Sequence, residues 1–122
     1  MKYFTLLLLL VLSSCYKQER NCEDFKTGEF SFTQEIDGKK QVTLFKRDEK
    51  FQIETYNGKT DTASVRWVNE CEFVLEKLHP KNMKEQKAIS MRILTTTKNS
   101  YTFEYSFVND DNKQLGTVTK IK

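Results

Sequence analysis

Three cysteines, a single histidine and the adjacent acidic pairs Asp48-Glu49 and Asp110-Asp111 are side chains of this chain with the chemistry to anchor, cross-link, ligate or catalyse. A serine or cysteine nucleophile needs a base within hydrogen-bond reach, most often histidine. The only candidate, His79, precedes Pro80 in a polar stretch with no motif around it. The expectation is a loop histidine and no enzymatic activity. Asp48-Glu49 and Asp110-Asp111 are paired carboxylates, but both sit where tight turns are expected, and turns recruit aspartate for backbone reasons. Asp110 to Asn112 also lacks the long ligand loop and closing glutamate of a calcium-binding hand. Two cysteines and a histidine without close pairing do not make a zinc set, and the four isolated glycines, at 28, 38, 58 and 116, build no phosphate cradle. No cofactor and no metal are expected.

The cysteines divide by position. Lys2, the apolar run Leu6 to Leu12 and the small residues Ser13 and Ser14 form the pattern of an export signal. The run is far short of the roughly 20 apolar residues that span a bilayer. Leu12-Ser13-Ser14-Cys15 resembles the bacterial lipobox, which implies a signal peptide over residues 1–14, removal of that segment and acylation (palmitate among the chains) of Cys15. The expected mature protein starts at Cys15, with residues 15–24 as lipid anchor and tether and 25–122 as one β domain. Export leads to an oxidising compartment, where Cys22 and Cys71 are expected to form a disulfide; two free buried thiols are the alternative.

Charge narrows the partners. The formal net charge of +3 falls to +2 once Lys2 is removed, and both signs are interspersed. That is a solvated surface, not a nucleic-acid footprint. Arg66 beside Trp67 and Lys46 after Phe45 are neighbours that an alternating strand produces on opposite faces. They do not form a stacking platform.

Beyond the tether, period two dominates. Phe30 and Phe32 share a face in Thr27 to Gln34, and Val42 and Leu44 share one in Gln41 to Lys46, with Asp37-Gly38 between them as a hairpin signal. Phe51 and Ile53 mark a third strand ended by Asn57-Gly58. Ala63, Val65 and Trp67 mark a fourth, and Cys71, Phe73 and Leu75 a fifth whose cysteine points inward. His79 to Lys87 is the longest connection, either a single helical turn started at Pro80 or a solvated loop. Ile89, Met91 and Ile93 make the sixth strand, Lys98-Asn99 a turn, and Tyr101, Phe103, Tyr105 and Phe107 the seventh. Asn109 to Lys113 closes that hairpin and Gly116 to Ile121 makes the eighth.

About eight short strands with turn signals in nearly every gap point to an all-β fold, an antiparallel up-and-down barrel of lipocalin-like plan. Closure removes the exposed edges of a flat sheet. A two-sheet β-sandwich fits the same pattern. Trp67, Phe73, Tyr101, Phe103, Tyr105 and Phe107 then either line an apolar cavity for a small hydrophobic ligand or fill the core.

The segments Cys15-Tyr16, Arg20-Asn21-Cys22, Phe25-Lys26-Thr27-Gly28, Tyr56 to Asp61, Arg66-Trp67, Cys71-Glu72, Lys77 to Pro80 and Phe103-Glu104-Tyr105 resemble a family of short uncharacterised bacterial lipoproteins. Members often carry the label DNA topoisomerase IV. That activity would need an ATP site, a strand-cleaving tyrosine domain and magnesium carboxylates, none of which this chain contains. The plan of anchor, barrel and one disulfide is also similar to small lipoprotein inhibitors of lysozyme, though no inhibitory motif is present. The resemblance implies a lipid-anchored envelope protein, at the outer membrane facing the periplasm because Tyr16 is not the aspartate of inner-membrane retention. Its expected role is a binding or interaction module, a carrier of a hydrophobic ligand, or an inhibitor of an envelope hydrolase. Expected partners are the membrane, through the lipid, and an envelope protein or small hydrophobic ligand.

Overall fold

In Asp37-Gly38 and Asn57-Gly58 both residues of each pair have positive φ, 53° and 77° in the first and 49° and 74° in the second. These are type I′ turns, whose twist matches that of the strands they join. A computed structural model describes residues 20–122; the expected signal peptide, Cys15 and the first part of the tether lie outside the described residues. The strands are β1 (Gly28–Ile36), β2 (Lys39–Arg47), β3 (Phe51–Tyr56), β4 (Lys59–Trp67), β5 (Glu72–Lys77), β6 (Ile89–Thr96), β7 (Ser100–Phe107) and β8 (Gln114–Lys120). Each pairs antiparallel with the next, and β8 returns to β1 through Phe30 opposite Lys120 and Phe32 opposite Val118. The result is a closed eight-stranded barrel, which resolves the alternative of a sandwich.

Closure gives every strand an inner and an outer face. From β1 the inner set runs Phe30, Phe32 and Gln34, opposite Phe45, Thr43 and Gln41 of β2. On the far side Ile93, Met91 and Ile89 of β6 face Phe103, Tyr105 and Phe107 of β7. Phe30, Phe45, Phe73, Ile93, Tyr101, Phe103 and Val118 are buried, each large apolar side chain contributing about 1.5–3 kcal/mol by leaving water. Gly116 of β8 lies opposite Phe103, and a Cβ there would stand 2.7 Å from that ring and 3.0 Å from Phe32. Its bare backbone is the seat on which two aromatic rings rest.

Two strands present the reverse of a simple apolar-in pattern. The apolar face shared by Val42 and Leu44 on β2 points outward, each side chain being 50% exposed, and Ile53 on β3 is 40% exposed. Gln41, Thr43, Phe45 and Arg47, with Gln52, Glu54 and Tyr56, take the inner positions. The β5–β6 connection is a loop containing one turn, closed by Lys87 N–H donating to the Lys84 carbonyl at 3.3 Å.

One barrel end is sealed. A 3₁₀ turn, Cys22–Phe25, lies across it with Cys22 and Phe25 buried, so the last residues read from sequence as tether are built into the floor. The Cys22 and Cys71 sulfurs are at bonding distance, 2.08 Å, which ties this turn to the β4–β5 connection; Cys71 precedes β5 and is half-buried. Asn21 N–H donates to Thr96 Oγ1 at 2.9 Å, holding the entering chain against the end of β6.

Candidate ligand cup

Arg47 ends β2 on the inner face and is only 2% exposed. Its Nε donates to the Lys26 carbonyl at 3.2 Å and Nη2 to the Phe25 carbonyl. Nη1 donates to Gln52 Oε1 at 3.1 Å, and both Nη atoms reach the Tyr101 hydroxyl at 3.3 Å. All five N–H groups of the guanidinium are thereby used. Its plane sits among aromatic faces, 4.7 Å from the Phe30 ring centre and 4.6 Å from that of Phe73, a favourable place for a cation out of water. The arginine therefore pins the 3₁₀ turn to the floor. Burial pushes the Tyr101 phenol above its ordinary value of 10.0, against the opposing pull of the Arg47 charge and hydrogen bond. The hydroxyl stays neutral at physiological pH.

Above this floor the barrel is hollow. A cavity of about 220 Å³ lies between the polar β1–β3 wall, with Gln34, Thr43, Gln52 and Glu54, and the apolar β6–β7 wall, with Ile89, Met91, Phe103 and Tyr105. For scale, an apolar protein cavity of about 150 Å³ takes benzene. A second hollow of about 200 Å³ under the β5–β6 loop is lined by Phe107, Leu75, Lys77 and Glu85, and the mouth beyond encloses about 570 Å³. Glu54 borders all three.

Polar contacts on the wall form a short ladder. Gln52 accepts from Arg47 and donates through Nε2 to Glu54 Oε1 at 2.9 Å; higher up, the Tyr56 hydroxyl donates to Gln41 Oε1. At the mouth Lys77 bridges Asp61 at 3.0 Å and Glu85 at 2.9 Å. Glu85 comes from the β5–β6 loop and also accepts from the Lys81 amide at 2.7 Å, so this ion pair straps the loop to the wall. The hydrogen bond from Lys77, with that from Lys81, holds the Glu85 carboxyl below its ordinary value of 4.5. Glu85 in turn raises Lys77 above 10.5.

The six aromatics singled out from sequence separate by depth. Tyr101, Phe103 and Tyr105 border the 220 Å³ cavity and Phe107 the hollow beside it. Trp67 and Phe73 meet at 4.5 Å with their planes tilted by 41° in the packed floor, below the lining of the cavity. His79 is exposed at the mouth. The Asp48 carboxyl accepts from the amides of Lys50 and Phe51, and Asp110 from that of Asn112, the backbone-capping turn roles expected of them. Among the described residues no three His, Cys, Asp or Glu side chains converge as a metal set.

Sequence reasoning passed over Gln34, Thr43, Gln52 and Glu54. The signal was present: Gln52 and Glu54 alternate with the apolar Phe51 and Ile53, so a barrel that turns the apolar set outward must turn them inward. Fold and cavity together define an up-and-down β-barrel sealed at one end and open at the other. In comparisons with protein-family models, with curated proteins and with solved structures, nothing matches this chain.

Proposed function

We propose that this protein is a lipid-anchored binding module of the cell envelope whose barrel holds one small amphipathic molecule. The observation that carries the reading is the cavity of about 220 Å³ above a pinned floor, polar on one wall and apolar on the other. Ligand sites are concave, mostly apolar and fitted with a few placed polar groups, and barrels of eight strands are just wide enough to hold one small ligand. The wall chemistry favours binding over catalysis, since Gln34, Thr43 and Gln52 offer hydrogen bonds and the carboxylate among them, Glu54, is bonded to Gln52 rather than to a hydroxyl nucleophile. Anchorage rests on the Leu12 to Cys15 motif.

The test places two bulky substitutions side by side. Thr43 faces the cavity and Leu44 faces solvent on the same strand. Titration with the neutral fluorophore N-phenyl-1-naphthylamine should show saturable binding to the wild type, loss of binding in Thr43→Phe and retention in Leu44→Phe. Equal binding by all three proteins places the probe outside the barrel and ends the proposal.

A further inference from the structure

The cavity of about 220 Å³ is lined by two formally charged side chains, Arg47 and Glu54, and they differ in availability. Every N–H of Arg47 is already committed to a neutral oxygen, two of them to the carbonyls that hold the floor. An anion could claim the guanidinium only by displacing Gln52 and Tyr101 from it or by releasing the 3₁₀ turn. Glu54 is the opposite case. One carboxylate oxygen accepts from Gln52 at 2.9 Å, and among the described residues no lysine or arginine pairs with it. Its register partner across β3 and β4 is a second carboxylate, Asp61, and the nearby Lys77 is divided between Asp61 and Glu85. A half-buried carboxylate beside a like charge is a seat for a cation.

The surroundings agree. Phe103 and Tyr105, 5.5 Å apart, line the opposite side of the same cavity, and aromatic rings attract ammonium groups. Exposed Lys84 and Lys87 line the hollow of about 200 Å³ that Glu54 also borders, but neither forms an ion pair with its carboxylate.

Resting on the reading of the barrel as a ligand cup, we infer that its ligand carries a protonated amine seated on the Glu54 carboxylate, with an apolar remainder against Met91, Phe103 and Tyr105, and that anions of the same shape are refused.

Calorimetric titration of the full folded domain at neutral pH with 2-phenylethylamine, 2-phenylethanol and phenylacetate tests it. The expected order is amine at least tenfold tighter than alcohol, with no heat from phenylacetate. Glu54→Gln is isosteric and keeps the acceptor for Gln52; it should bring the amine down to the level of the alcohol and leave the alcohol unchanged. In the wild type, the ¹³C resonance of the Glu54 carboxyl should shift on adding amine, a readout independent of any variant. Phenylacetate binding as tightly as the amine, or amine affinity untouched by Glu54→Gln, overturns the charge assignment. If none of the three ligands binds while the neutral fluorophore still enters the barrel, the charge assignment falls and the cup stands; if the fluorophore also fails, both fall.

Discussion

Both terminal nitrogens of Arg47 donate to the one hydroxyl oxygen of Tyr101, each at 3.3 Å, joining the end of β2 to the start of β7 across the inside of the barrel. These strands are far apart in sequence and three places apart around the closed barrel. A single planar cation joins them and, through Phe25 and Lys26, the plug beneath. Burying an arginine without a carboxylate partner is costly unless its donors are met. Here they are, so its removal is expected to be expensive for the fold.

Arg47→Met keeps the bulk and removes the donors. It leaves the Phe25 and Lys26 carbonyls and Gln52 Oε1 without their partner, and each buried orphan costs about 1–3 kcal/mol. The expected loss is about 3–5 kcal/mol, a drop in Tm on the order of 15–25 °C for a domain of this size, read by thermal unfolding. A Tm within a few degrees of the wild type would show that the floor does not depend on this side chain.

The disulfide acts on the same floor by another route. Cys22 and Cys71 are 49 residues apart in sequence, and opening a loop of that length gives back about 4 kcal/mol of chain freedom in the unfolded state. Cys22→Ser with Cys71→Ser should lower the denaturant midpoint accordingly. Amide exchange should speed up most in Cys22–Phe25.

Neighbours on β2 should respond in opposite ways. Leu44→Gln changes an exposed side chain and is expected to stay within about 0.5 kcal/mol of the wild type. Phe45→Ala removes a ring stacked 5.1 Å from Phe30 and should cost about 3–5 kcal/mol. Chemical denaturation of both variants checks which face is inside.

Gly116→Ala adds a methyl 2.7 Å from the Phe103 ring. The ring must move, at about 1–3 kcal/mol. Because Phe103 borders the cavity, the same variant should also weaken fluorophore binding, which a purely structural seat far from the cup would not do.

The strap at the mouth has a pH window with a definite sign. Glu85 is held below 4.5, so its contribution is present above that value and is lost as pH falls through its lower folded value. Lys77 is raised, so its contribution is complete below 10.5 and is lost only as pH climbs through its higher folded value. The loop should be strapped between these limits and loosen in acid. The protection of the Lys81 amide, which donates to Glu85, should fall relative to its intrinsic exchange rate as pH drops below 4.5, while amides in β6 and β7 remain protected. Solvent-exposed pairs of this kind contribute little to the fold, so global stability should scarcely move.

Period two and turn chemistry made most of the fold legible. Phe30 with Phe32, Tyr101 through Phe107, and the Asp-Gly and Asn-Gly pairs each correspond to a strand face or hairpin in the barrel. The cup was legible only in part, because alternation specifies that a strand has two faces without saying which is inner. On β2 and β3 both faces carry apolar residues, and the choice depends on closure and on Arg47, which shares a face with Phe45 two residues before it. The plug was hidden for a different reason. Cys22–Phe25 has too few residues for any periodicity, and its place depends on partners 22 to 96 positions away.

The chain enters the barrel beside the end of β6, at the stoppered base rather than the rim. A leash fastened there turns the base toward whatever surface holds it and leaves the aperture looking into the surrounding fluid. Under the proposed acyl anchor, the proposed ligand would then be traded with the aqueous space or with a visiting protein, and not drawn sideways out of the lipid.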